Sequence, residues 1–569
     1  MAEQVTRRPS PEAAVLCGAL AVGAMIRLWL FAARPSLWID EARVALNLGT
    51  RSYAGLLQPL DYDQAAPPLF LWLAKLCVAL GGMNEYALRA VPFLAGLVIP
   101  VLVFALADRL AGRRVAVIAA VLAALSPGLI RHTAEFKPYQ TDALLAAGLL
   151  LSHVVARRQS GAGLDPRTGL AGALAVWAST PAVFVLAAIV AVELGSEQGR
   201  RRAALARTIP VVALWTLSFG AVYGLVYRSV ADNAYLRDFW RPNLPALGNA
   251  DWPSTLWLSI RDVLADAFVT GALELPAGRF TQAALLGGAV VLLVLSLWGV
   301  RWLGKGGRDA AALVTCPWLI ALGAALAGVY PFAPRLTLFA LPFLLVAISA
   351  GLVALYRTPW PIRLGLTACF GAIFAAGLLW CIDRVAAPRR DHHTRAAIEF
   401  FRDSVRAGEP VYVSAGTLPA WAFYTTDWRR PDSTRLHRLA REASSGGLAF
   451  ENAPPRGRPV DGDGSHLAFE FGRWVELYGV FSGARWLSNG TLSRPEVDAN
   501  WSRSEAERVR MAALRAVPPT AWVLTDRNLG LDAQLHAALR QAAGRTGPAY
   551  YTDGDITIAR YRFDPASIR

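Results

Sequence analysis

Long apolar stretches separated by tight clusters of arginine constrain this chain more than any other feature, because a run of roughly 20 mostly apolar residues is what a bilayer-crossing helix requires. The clusters are Arg7-Arg8, Arg109 with Arg113-Arg114, Arg157-Arg158, 200–207, 301–308 and 357–363. Loops rich in Lys and Arg stay in the cytoplasm. Placing every cluster inside predicts spans near 13–33, 86–107, 114–131, 138–156, 208–228, 280–302, 310–329, 335–356 and 362–382, with 168–196 crossing twice around Ser179-Thr180-Pro181. The total is about eleven spans by this parity.

Composition agrees. With 54% apolar and 17% charged residues, an ordinary soluble enzyme is excluded. The net charge of +15 resides in those short clusters and forms no continuous basic face, so nucleic acid is not an expected partner. The five cysteines all fall in apolar stretches without metal-ligand or redox spacing. The first apolar run exceeds a signal-peptide core and reads as an uncleaved span with the N-terminus inside.

The run 67–80 fits parity only as an interfacial helix in an outer loop, 34–85. After Ile382 the composition turns polar. The expected architecture is a mainly α membrane domain over 1–385 and an outer soluble α/β domain over 386–569. In the latter, 410–414, 521–525 and 556–562 read as strands and the Gly, Pro and Ser-rich 444–465 as loop. His392 and His393 read as a solvated junction. No internal repeat is visible, which weighs against a transporter.

The strongest local signal is Asp40-Glu41, directly after the first span. Carboxylates at membrane depth are costly and tend to be functional, although capping of the following helix explains them as well. Parity puts Arg89, Glu135, Lys137, Asp142 and Arg335 on the same face. Carboxylates facing cations suit a site that handles a phosphate and deprotonates a hydroxyl. Tyr139 and Tyr330 share that surface as candidate acceptor contacts with Glu135, and Tyr235, Phe239 and Trp240 lie in the outer loop 229–279.

These residues resemble the GT-C membrane glycosyltransferases, and within them glycosyltransferase family 39, which holds the protein O-mannosyltransferases and the lipid A aminoarabinose transferase. The motifs are Asp40-Glu41 after span one, Pro67-Pro68-Leu69, Arg89 opening the second span, and a basic residue five positions before an aspartate, Lys137 and Asp142. Ala66 stands where that family usually has His, and Lys137 where it often has Arg.

The resemblance implies a GT-C helical bundle in the bacterial inner membrane. It implies an inverting hexosyl- or pentosyltransferase that moves a sugar from a polyprenyl-phosphate donor to a hydroxyl of a glycan, lipid or protein acceptor on the outer face. Asp40 would be the general base, with Glu41 and Asp142 orienting the acceptor, while Arg89, Lys137 and Arg335 would hold the donor phosphate. The family leaves metal dependence open; where a Mg²⁺ or Mn²⁺ ion is used, Asp40, Glu41 and Asp142 would be its ligands. A lipid-linked sugar flippase and a glycan ligase with a diphosphate donor are the competing readings.

Overall fold

The computed structural model describes residues 10–196, 201–269, 279–388, 394–404, 410–413 and 418–436, and the strand segments 449–452, 485–486, 492–493, 520–526, 546–553 and 556–562. His392 and His393 lie outside them, as does most of 444–465.

The first span is α1 (Pro11–Ala32), opened by Ser10, whose hydroxyl accepts from the Ala13 N–H, and by Pro11 at the first helical position. The loop after α1 holds α2 (Ile39–Thr50) and α3 (Pro68–Gly81). At 14 residues, α3 is shorter than a bilayer-crossing helix needs to be. Asn84 caps α4 (Glu85–Ala111) by accepting from Ala87 N–H. Gly112, at φ +84°, supplies the left-handed turn into α5 (Arg113–Leu125).

The expected span 114–131 is broken. Helix α5 ends and α6 (Pro127–Thr133) departs at 49°. Pro127 has no N–H to continue the ladder and drives Ser126 into extended backbone, ψ 119°. The carbonyls freed at the end of α5 are satisfied by Arg27 from α1, which donates to Ala124 O at 2.6 Å and Ala123 O at 3.1 Å. Gly23 lets α1 come this close, since a Cβ there would strike the Ala124 carbonyl.

Next come α7 (Tyr139–Ser160), α8 (Pro166–Ala178), α9 (Ala182–Gly195) and α10 (Arg202–Val222). Ser179-Thr180-Pro181 separates α8 from α9 as expected, and helices of 13 and 14 residues reach only about 20 Å each. The short α11 (Arg228–Ala231) and α12 (Ala234–Trp240) and the longer α13 (Trp252–Phe268) follow α10. Then follow α14 (Arg279–Gly306), α15 (Arg308–Leu326), α16 (Pro334–Thr337), α17 (Leu341–Ala354) and α18 (Trp360–Ala386).

This is a mainly α, multi-pass membrane protein. Among the described residues seven helices are long and apolar enough to cross, or eight with the bent α5–α6 pair. Helix α7 and the α8–α9 pair occupy the positions of the remaining expected spans. The polar residues Gln140, Asp142, His153 and Arg157 set α7 apart from the purely apolar helices.

The last helices are α19 (Thr394–Ser404) and α20 (Leu418–Thr425), and the strands are β1 (Pro410–Val413), β2 (Ala449–Asn452), β3 (Arg485–Trp486), β4 (Leu492–Ser493), β5 (Thr520–Asp526), β6 (Thr546–Asp553) and β7 (Ile556–Arg562). Five of them form a sheet in the order β2-β1-β5-β7-β6, with β1 and β5 parallel and the other pairs antiparallel. The expected strands therefore fall in one sheet. Helix α19 touches β6 and β7, and both α19 and α20 also pack on the loop after α1: Ala397, Ile398, Trp421 and Phe423 share a hydrophobic core with Val44, Leu48, Phe70 and Phe136. Gly49 makes room for the Trp428 ring, which any Cβ there would meet.

Candidate active site

The site is assembled around the first turn of α2. Glu41 reaches back to the Trp38 N–H at 3.2 Å, the local capping bond of a helix start. The same carboxylate accepts from Arg89 Nε at 2.8 Å and Nη2 at 2.6 Å, and from the Phe136 backbone N–H. Arg89 also donates to the carbonyls of Pro35, at 2.7 Å, and Ser36, at 3.2 Å. The two side chains are 1% and 3% exposed, so this pair is a sealed clamp joining α2, α4 and the 134–138 turn.

Asp40, one residue earlier, is rotated about 100° around the helix axis and stays 20% exposed. Its Oδ2 lies 3.4 Å from Arg335 Nη1, and its Oδ1 4.0 Å from Arg43 Nη1. Lys137 is buried beside them and donates to Gln64 Oε1 at 2.9 Å. Arg335 lies over the Trp240 ring, 4.7 Å from its centroid, with Trp38 and Phe239 each at 5.9 Å. Aromatic faces on a guanidinium hold its plane without consuming its N–H donors.

These charges set the protonation states. Burial pushes the Asp40 carboxyl up, but Lys137, Arg335 and Arg43 together outweigh burial and the repulsion of Glu135, and it sits below its ordinary value. Burial likewise pushes Lys137 down, to about 8; Asp40 pulls it up while Arg335 and Arg43 press it further down.

Glu135 is held by the helix that precedes it, α6. Arg131 Nε donates to it at 3.2 Å and His132 Nδ1 lies 2.7 Å away. Burial raises this carboxyl, but His132 and Arg131 overcome that and hold it well below the carboxylate range. Asp142 is buried deeper, in the first turn of α7, with Oδ1 lacking a hydrogen-bond partner among the described residues. Tyr139, within electrostatic reach of Arg335, Asp40, Glu135 and Asp142, connects the two levels. Tyr330 lies at the lower one, where its hydroxyl donates to Leu336 O at 2.9 Å and burial, with Asp142 next, raises its pKa well above the usual phenol.

The structure thus brings Asp40, Lys137 and Arg335 together and leaves Arg89 and Glu41 behind them, spent on each other. Among the described residues no three His, Cys, Asp or Glu side chains stand where a metal ion could be held. The trio expected for Mg²⁺ or Mn²⁺ is not assembled, because Glu41 has its oxygens filled by N–H donors and Asp142 lies at a different level. Sequence reasoning missed Arg43, Gln64 and His132. Arg43 was within reach of it, being three residues after Asp40 on one helix face. Phe239 and Trp240 do meet the site, while the Tyr235 side chain lies outside the described residues.

Residues 65–226 match the family model described as dolichyl-phosphate-mannose-protein mannosyltransferase. The chain resembles a GT-C membrane glycosyltransferase. The matched stretch contains Pro67-Pro68, Arg89, Lys137 and Asp142, whereas Asp40, Glu41 and Arg335 lie beyond it. Among solved structures, the oligosaccharyltransferase of Archaeoglobus fulgidus, tethered to an acceptor peptide, is similar at 15% identity and TM-score 0.46, over 93% of this chain and 71% of that one. The ArnT protein of Cupriavidus metallidurans, bound to undecaprenyl phosphate, is similar at 15% identity and TM-score 0.43, over 96% of this chain and 97% of that one. No curated protein matches the chain in sequence.

Proposed function

We propose that this protein is an inverting glycosyltransferase of the bacterial cytoplasmic membrane, taking a hexose or pentose from a polyprenyl phosphate and passing it to a hydroxyl at the outer surface. The observation that carries the reading is Asp40, a partly exposed carboxylate flanked by Arg335, Arg43 and Lys137, while its neighbour Glu41 is sealed against Arg89. The family match over 65–226 supports the same donor class, since its description names a dolichyl-phosphate sugar.

In this mechanism the acceptor hydroxyl binds beside Asp40. Its oxygen forms the new bond to the anomeric carbon, the bond from that carbon to the phosphate oxygen breaks with its electron pair staying on the phosphate, and the acceptor proton passes to an Asp40 carboxylate oxygen. Arg335 and Lys137 hold the donor phosphate and gain strength as its charge grows, with Arg43 completing the cationic rim. A leaving group that is already anionic needs cations and no general acid.

Cations this close make free Asp40 a weak base. Donor phosphate entering between them competes for Arg335 and Lys137, relaxes their hold on Asp40 and raises its basicity at the moment the acceptor must be deprotonated. Arg89 acts in this scheme as a positioning residue that fixes Glu41 and therefore the start of α2.

The test uses the full chain in nanodiscs with a panel of polyprenyl-phosphate-linked hexoses and pentoses, reading free polyprenyl phosphate. At least one donor should be consumed in the presence of a hydroxyl acceptor, and Asp40→Asn should cut turnover by about 10²–10⁴ with thermal stability kept. Donor consumption undiminished in Asp40→Asn, or consumption of diphosphate-linked donors alone, would refute the assignment.

A further inference from the structure

Helices α14 and α17 touch backbone to backbone: a Cβ on Gly299 would strike Ala347 O, and one on Gly351 would strike Leu295 O. Beside this contact, where both helices end, lies a cavity of about 540 Å³. Its polar wall is Arg301, Lys305 and Arg357, and its apolar wall includes Trp298, Trp302 and Leu297. Among the described residues none of the three cations has an ion-pair or hydrogen-bond partner.

This cavity is separate from the candidate active site. Arg335 and Arg357 stand at opposite ends of the helical segment 334–357, about 33 Å apart at 1.5 Å per residue. The cavity therefore opens at the other membrane face, the one to which the arginine clusters 301–308 and 357–363 belong.

Unpaired cations beside indoles at the end of transmembrane helices suit a ligand with an anionic head and an apolar tail. The guanidinium and ammonium groups meet phosphate, the indoles sit at headgroup depth, and Leu297 continues the wall toward the acyl region. A soluble anion would leave that apolar wall uncovered. We propose that this cavity is a binding site for an anionic phospholipid of the leaflet opposite the active site, held by Arg301, Lys305 and Arg357.

The experiment compares the full chain with the variant R301Q/K305Q/R357Q in nanodiscs made from phosphatidylcholine with a minority of phosphatidylglycerol. Lipid retained after detergent stripping is read by native mass spectrometry. Wild type should retain phosphatidylglycerol over phosphatidylcholine, and the variant should retain roughly a hundredfold less of it, since each of the three cations near an anionic surface contributes about fivefold. The variant R113Q/R114Q, which neutralises another basic cluster on the same face, should retain as much as wild type. Equal loss in R113Q/R114Q would reduce the effect to general surface charge and overturn the proposal. So would displacement of the lipid by soluble glycerol phosphate, which would make the site one for a free phosphate. Should the triple variant fail to fold, Lys305→Glu at an exposed position takes its place, and unchanged retention there counts against the site.

Discussion

Arg89 Nε and Nη2 meet the two oxygens of Glu41 at 2.8 and 2.6 Å in a pocket closed to solvent. A fork so engaged, with two further N–H groups on the Pro35 and Ser36 carbonyls, has four of its five donors committed inside the protein. Arg89→Met should therefore lose stability, by about 3–5 kcal/mol, because it strands a buried carboxylate. Adding Glu41→Gln should recover part of that loss. Thermal unfolding of the single and double variants reads both. An Arg89→Lys protein that unfolds like wild type but binds donor tenfold worse would return Arg89 to the phosphate.

Lys137 gives the site a pH signature. Its ammonium titrates at about 8 because burial and the neighbouring Arg335 and Arg43 outweigh the pull of Asp40. Protons leave as pH rises, so the cation is present below pH 8 and lost above it, and kcat/KM for the donor should fall on that limb. Bound phosphate restores the proton, so kcat should hold to higher pH. Lys137→Arg, charged throughout, should remove the alkaline limb from a kcat/KM profile between pH 6 and 10. An unchanged limb in that variant would mean another group titrates.

The spans were legible because length and arginine placement report directly on the bilayer, and so was Asp40-Glu41 as a pair. Their division of labour was not. Adjacent residues on a helix point about 100° apart, and which one faces solvent depends on where α4 puts Arg89, a long-range fact without a local signal. The bend at Ser126-Pro127 had a local signal in the proline, but its cap, Arg27, comes from a different helix. The polarity change after Ile382 marks a change of composition, and it could not reveal that α19 and α20 close the core under α2.

Arg27 makes its own prediction. It donates to the Ala123 and Ala124 carbonyls where α5 stops, so Arg27→Met should leave these two buried acceptors unsatisfied at about 1–3 kcal/mol each. Unfolding in detergent should move down accordingly, and the donor KM of the folded fraction should stay put. A variant as stable as wild type would show that the break supports itself.

Glu85 ties the chain's later helices to the approach to Asp40. Its carboxylate accepts from Arg34 at 2.8 Å, Arg395 at 2.7 Å and the Tyr424 hydroxyl at 2.9 Å, and that hydroxyl in turn accepts the Leu37 N–H at 2.8 Å. Leu37 precedes the start of α2, so the Tyr424 hydroxyl ties α20 to the catalytic turn beside the apolar core that the two helices share. Glu85→Gln keeps the shape but removes the charge that faces two arginines, weakening the dock by on the order of 2 kcal/mol, roughly thirtyfold in opening. Amide exchange across α19 and α20 should accelerate by about that factor, while Trp421 burial keeps both helices folded onto α2. Turnover should fall with KM little changed, because Asp40 loses alignment and the phosphate cations do not. If exchange rises and turnover does not, α20 acts as scaffold alone and the segment 35–38 holds Asp40 without it.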